Sequence, residues 1–142
     1  MTGPKVIAAT ALGLSLSMAF AAHAATPIGR WETQAEQGQV EFYDCNGKLC
    51  GRALPNAELL KGPVLKDARN KNPALRDRPL NGLQIISDFA GGPVKWTGGA
   101  IYRPEDGNTY KGKIELVDAN TLKMTGCVFE PLCKTYVWKR AQ

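Results

Sequence analysis

Charge is concentrated in one stretch of this chain. Between Lys66 and Arg78 the sequence KDARNKNPALRDR carries five basic side chains (Lys66, Arg69, Lys71, Arg76, Arg78) and two acids (Asp67, Asp77). Two chemistries fit this pattern. Arg76 and Arg78 can act as planar forks for a carboxylate or phosphate, which makes the stretch an anion-recognising rim. Alternatively, Asp67 and Asp77 pair with the arginines, and the stretch is a self-ordered loop that needs no ligand.

The remaining inventory limits catalysis. After Ala24 the chain has no histidine, and Ser87 is its one serine. A histidine base, a Ser-His-Asp or Cys-His arrangement and a histidine metal site are therefore unavailable. Glu105-Asp106 stands just before Gly107 and reads as turn chemistry rather than an acid–base dyad. The four cysteines lack CxxC spacing, so neither a redox motif nor a metal site is expected, and no cofactor is implied. The aromatic residues fit a core as well as a pocket. Of these, Trp96, Tyr102 and Tyr110 join Arg76 and Arg78 as candidate ligand-binding residues. The sequence points to a binder, not an enzyme.

The elements that hold these residues begin after a leader. Lys5 supplies a basic start, VIAATALGLSLSMAF from Val6 to Phe20 an apolar run, and Ala22-His23-Ala24 an A-x-A cleavage site. The run is shorter than the roughly 20 residues a membrane span requires. Cleavage after Ala24 leaves 118 of the 142 residues, one domain over 25–142, and no transmembrane segment. That domain has 17 basic and 13 acidic side chains. A balance this modest, with most of the excess in one loop, argues against nucleic acid. Export, to the periplasm or beyond, suits the even cysteine count. Three pairings are possible. DCNGKLC and CVFEPLC each put two cysteines on facing arms of a hairpin, which favours Cys45–Cys50 and Cys127–Cys133.

Helical periodicity is nearly absent after the leader. Eight short runs alternate apolar and polar residues, mostly joined by tight turns such as Asn46-Gly47. Closure removes the exposed edges of such a meander, so the expected fold is all-β, an eight-stranded antiparallel up-and-down barrel. A two-sheet sandwich is the alternative. Gly98-Gly99 marks a bend or bulge. The charged stretch becomes a long insert between strands, expected to fold over the barrel as a lid. Asn56 to Gly62 forms one turn, and Asn72 caps a second that starts at Pro73. Asp67, Asn70, Asn72 and Leu75 are its structural residues. Leu75 is expected to drop into the barrel mouth and Arg76 to pair with Asp67. Arg78, extended before Pro79, is left free for a ligand.

Two resemblances follow. Gly29-x-Trp31 on the first strand and Arg140 on the last resemble the calycin signature, in which a tryptophan at the closed end of the barrel is covered by a basic side chain. The chain is also similar, over essentially all 118 residues after the leader, to a family of small exported bacterial proteins catalogued as a domain of unknown function with a lipocalin-like barrel. The matching stretches are GRW, CNGKLCGR, DARNKNPALRDRPLNGL, WTGGAIYRPEDGNTY, TGC and VWKR. Members typically carry Pro-Asp where Lys71-Asn72 stand, and often an acid where Arg103 stands. The resemblance implies the fold more than the function. The expected function is non-catalytic binding of a small apolar or amphipathic molecule, with an anionic head allowed. The alternative is a periplasmic protein-interaction module of envelope-stress or hydrolase-inhibitor type. The sequence names neither ligand nor protein partner.

Overall fold

The computed structural model describes residues 2–3, 24–34 and 38–142. The expected leader lies almost wholly outside the described residues. Eight strands follow one another: β1 Gly29–Glu32, β2 Gly38–Cys45, β3 Lys48–Pro55, β4 Gln84–Gly91, β5 Lys95–Arg103, β6 Asn108–Asp118, β7 Thr121–Phe129 and β8 Leu132–Arg140. Each pairs antiparallel with the next. β1 pairs with β8, Trp31 opposite Arg140, so the sheet closes into a barrel rather than a sandwich. No described helix is long and apolar enough to cross a membrane.

Because neighbouring strands run antiparallel, the connections alternate between two ends. The β3–β4 insert and the β5–β6 and β7–β8 turns share one, the lid end. The β2–β3, β4–β5 and β6–β7 turns share the other, the closed end. Both cysteine pairs are bonded, Cys45 to Cys50 and Cys127 to Cys133, each clipping one hairpin.

Side chains alternate between the faces of each strand, and the buried positions identify the inner face. Trp31, Phe42, Ile86, Phe89 and Leu122 are among its fully enclosed members. In β5 to β8 the buried core comes from the closed-end half: Trp96 starts β5, Ile114 and Leu116 lie late in β6, Leu122 and Met124 early in β7, and Trp138 late in β8. The register shifts between Thr97 and Ala100, so Gly98-Gly99 does form a bulge. Phe89 lies against Gly99 so closely that a β-carbon there would meet its ring.

The insert has its own frame. Asn56 Oδ1 accepts from the Glu58 and Leu59 amides ahead of a 3-10 turn at Leu59–Lys61. Asn72 caps a second turn, Pro73–Leu75, by accepting from the Ala74 amide at 3.1 Å. Lys66 bridges Pro79 in an antiparallel pair. The Asp67 amide donates to the Arg78 carbonyl at 3.0 Å, and the Leu80 amide to the Leu65 carbonyl at 2.9 Å.

Candidate functional site

The insert is fastened to the barrel by one carboxylate. Asp67 is fully buried. Its Oδ1 accepts from the Tyr102 hydroxyl at 2.5 Å. Its Oδ2 accepts from Asn70 Nδ2 at 2.7 Å and from Arg78 Nε and Nη2 at 2.8 Å each. Asn70 Nδ2 also reaches the Tyr102 hydroxyl at 3.0 Å, and the Arg78 guanidinium lies 5.6 Å from the centre of the Tyr102 ring. Burial pushes the Asp67 pKa up, but the bonds from Tyr102, Asn70 and Arg78 outweigh it and hold the carboxyl below its ordinary value. Burial and the adjacent carboxylate both raise the Tyr102 pKa.

This arrangement corrects two expectations. Arg78, not Arg76, pairs with Asp67. The extended residues before Pro79 do not run free; the Lys66–Pro79 bridge sets Arg78 opposite Asp67. Arg76 instead turns back and donates from Nε to the Asn70 carbonyl at 2.9 Å. Leu75 does not enter the barrel. It is 37% exposed, because the insert is anchored on the rim and not in the mouth. Ile101 faces inward, with its Cδ1 over Gly112, so Tyr102 beside it lies on the outer face of β5. The β5–β6 turn completes the fastening. Arg69 Nη1 donates to the Glu105 carbonyl at 3.0 Å, and a β-carbon on Gly107 would run into the Arg69 carbonyl. Asp77 is held separately by Lys66 at 3.1 Å.

The mouth beside this fastening is lined by the lid-end halves of β5 to β8. The inward positions are Ile101, Tyr110, Gly112, Gly126, Lys134 and Tyr136, with Gly112 opposite Gly126. Ile101, Tyr110 and Tyr136 are only partly buried. Lys134 Nζ lies 4.9 Å from the centre of the Tyr136 ring. The Tyr110 hydroxyl donates to Asp106 Oδ2 at 2.5 Å. Burial raises the Asp106 pKa; the bonds from Tyr110 and the Asn108 amide outweigh it and lower it on balance.

The candidate ligand residues are thus divided. Arg76, Arg78, Tyr102 and Tyr110 gather at the lid end, the first three in the insert's fastening. Trp96 lies at the closed end, in an open groove of about 410 Å³ between residues 24–28 and Gly91–Pro93. A second open groove, about 580 Å³, crosses the outside of the barrel beside Arg30, Gln39 and Pro55. Ile101, Lys134 and the two glycines escaped the sequence reading of the site. The alternation in TYKGKI, which puts Gly112 on one face with Tyr110 and Ile114, carried the signal.

At the closed end the Arg140 guanidinium covers the Trp31 ring at 4.3 Å and donates to the carbonyls of Thr26, Ile28 and Ala119 at 2.5, 3.0 and 2.6 Å. Trp31 Nε1 donates to the Pro27 carbonyl at 2.7 Å. Gly29 has φ 114° and leaves room for that guanidinium, 3.2 Å from where a β-carbon would stand.

The fold has a solved counterpart. Protein HP1028 from Helicobacter pylori, described as belonging to the lipocalin family, is 28% identical to this chain. The match has a TM-score of 0.74 and covers 83% of this chain and 84% of that one. No curated protein matches the chain in sequence. The sequence profile described as "Uncharacterized protein conserved in bacteria (DUF2147)" matches residues 29–140. With an eight-stranded lipocalin-like barrel and the matched stretch running from Gly29 to Arg140, the chain belongs to that bacterial family.

Proposed function

We propose that the protein is an exported, non-catalytic binder of a small amphipathic molecule, held in the lid-end mouth of the barrel. One observation carries this reading. In β5 to β8 the inward positions of the closed-end half are filled, whereas those of the lid-end half are the partly buried Ile101, Tyr110 and Tyr136 beside two facing glycines. An apolar chain has aromatic and aliphatic walls there, and Lys134 offers a cation for an acidic head. Two bonded cysteine pairs support an oxidising compartment, and hence export with loss of residues 1–24. The lack of a histidine after Ala24 supports binding over catalysis.

Fluorescence titration with 1-anilinonaphthalene-8-sulfonate, an amphiphile with an anionic head, tests the reading. Gly126→Leu should block the mouth. A β-carbon at Gly126 has only ordinary contacts, 3.8 Å from Ile101 and Tyr110, so the fold tolerates its first atom while the branched end fills the space. The expected outcome is saturable binding that weakens by roughly tenfold in the variant. Equal binding by both chains, or none by the native one, sinks the proposal.

A further inference from the structure

Two properties converge on the lid end. The first is charge. The insert, the β5–β6 turn counted from Arg103, and Lys111, Lys113, Glu130 and Lys134 around the Cys127–Cys133 hairpin hold ten basic residues against six acidic ones. The other described residues hold seven basic and six acidic. The second is apolar exposure. Val64 and Leu65 of the insert are 72% and 45% exposed, and Val128, Phe129 and Leu132 of the β7–β8 hairpin are 64%, 64% and 58% exposed. Leu75 adds to them. The exposed large apolar side chains of the closed end, Ile28, Val94 and Val117, are fewer and less exposed, at 42%, 49% and 47%.

We propose that the lid end docks on an anionic lipid surface, with the two apolar tips entering the interface and the surrounding lysines facing the headgroups. The sequence PVLK sets valine and leucine beside Lys66, which Asp77 holds at 3.1 Å, and CVFEPLCK ends on Lys134. The single acid of the hairpin tip, Glu130, is offset by Lys113 at 2.9 Å. Disulfide Cys127–Cys133 holds Val128, Phe129 and Leu132 outward before any contact is made, which lowers the ordering cost of insertion. Apolar tips with interleaved lysines combine the two attractions that hold proteins at anionic membranes.

Other occupants fit less well. A second copy would bring one basic face against another. A protein partner would need concavities for tips on separate loops, whereas a fluid bilayer yields to them. The inference does not require the mouth to hold a ligand, although docking would set that mouth against the lipid.

Co-sedimentation of the leaderless chain with vesicles decides the matter. Phosphatidylcholine vesicles doped with phosphatidylglycerol should retain the protein at low salt. Undoped vesicles, or high salt, should release most of it. The double variant Phe129→Ser, Leu132→Ser should partition more weakly by roughly tenfold. Reversing Lys111 to glutamate should cost about fivefold. Val117→Ser, at the opposite end, should change nothing. Thermal melts check that each variant folds. The docking idea falls if the native chain ignores doped vesicles, or if the double variant binds them as well as the native chain. It also falls if the native chain is a dimer in solution that the double variant breaks. No amphiphile is added, so this failure is separable from failure of the mouth as a binding site.

Discussion

The Asp67 carboxylate shows how a polar residue can hold a loop to a barrel. A buried charge is costly unless every lone pair is met, and here Tyr102, Asn70 and Arg78 meet them. Removing Arg78 leaves a buried carboxylate with its cation gone, so Arg78→Ala should lower stability by about 2 kcal/mol in urea denaturation. Arg76→Ala removes one bond to a carbonyl and should cost less, about 1 kcal/mol. The reverse ranking would show that the pairing is wrongly assigned. The network also fixes a pH dependence. The folded Asp67 pKa is lowered, so the native state binds fewer protons than the unfolded one through this range. Its contribution is full above the ordinary carboxylate value near 4 and fades as pH falls below it. Tyr102 works in the opposite sense. Its pKa is raised, so its contribution is full below about pH 10 and fades above that. Urea midpoints across acidic pH should fall more gently for Asp67→Asn than for the native chain, and an equal slope would exclude Asp67 as a source. The charge pattern made this pairing legible in kind, an acid of the insert against one of its arginines. Choosing Arg78 over Arg76 required the Lys66–Pro79 bridge, a contact across thirteen positions that local spacing does not encode.

Among the elements, the insert and the β5–β6 turn depend on each other. Gly107 has φ 67°, and its α-carbon sits under the Arg69 carbonyl, where both backbones are fixed. Gly107→Ala therefore forces the turn away from the insert. We expect a loss of roughly 2–3 kcal/mol and earlier proteolytic cleavage within residues 56–83, read by limited digestion. Unchanged digestion would mean that the insert is held without this contact. The strands were legible because period-two alternation and tight turns are local signals. The same holds for the caps at Asn56 and Asn72 and for the Asn46-Gly47 and Gly98-Gly99 features. The lid geometry was not. Leu75 in a polar loop reads as an anchor, but the anchoring energy comes from Tyr102, whose outward direction follows from the bulge at Gly98-Gly99. One extra residue there reverses which side chains face in.

For the whole molecule, the barrel depends on one seam. Hairpin contacts join each strand to the next, whereas β1 and β8 meet over few paired positions, Trp31 with Arg140 and Glu32 with Lys139. Arg140→Ala removes the cation over Trp31 and three bonds to carbonyls, two of them on residues 26–28. It should cost about 2 kcal/mol, seen as a lower urea midpoint. An unaltered midpoint would leave the seam to backbone pairing alone. Barrel closure was legible from eight half-buried strands, but the division into a filled half and an open half was not. It depends on which inward positions carry glycine once the register is fixed. The seam has a further implication for how the protein is made. Seven of the eight strand pairings link neighbours in sequence and can form before the chain is complete. The eighth waits for β8. Until then β1 and β7 are bare edges, and Trp31, fully enclosed in the finished barrel, lacks the Arg140 guanidinium that covers it. While it folds, the chain is in its most aggregation-prone form just before its last strand arrives.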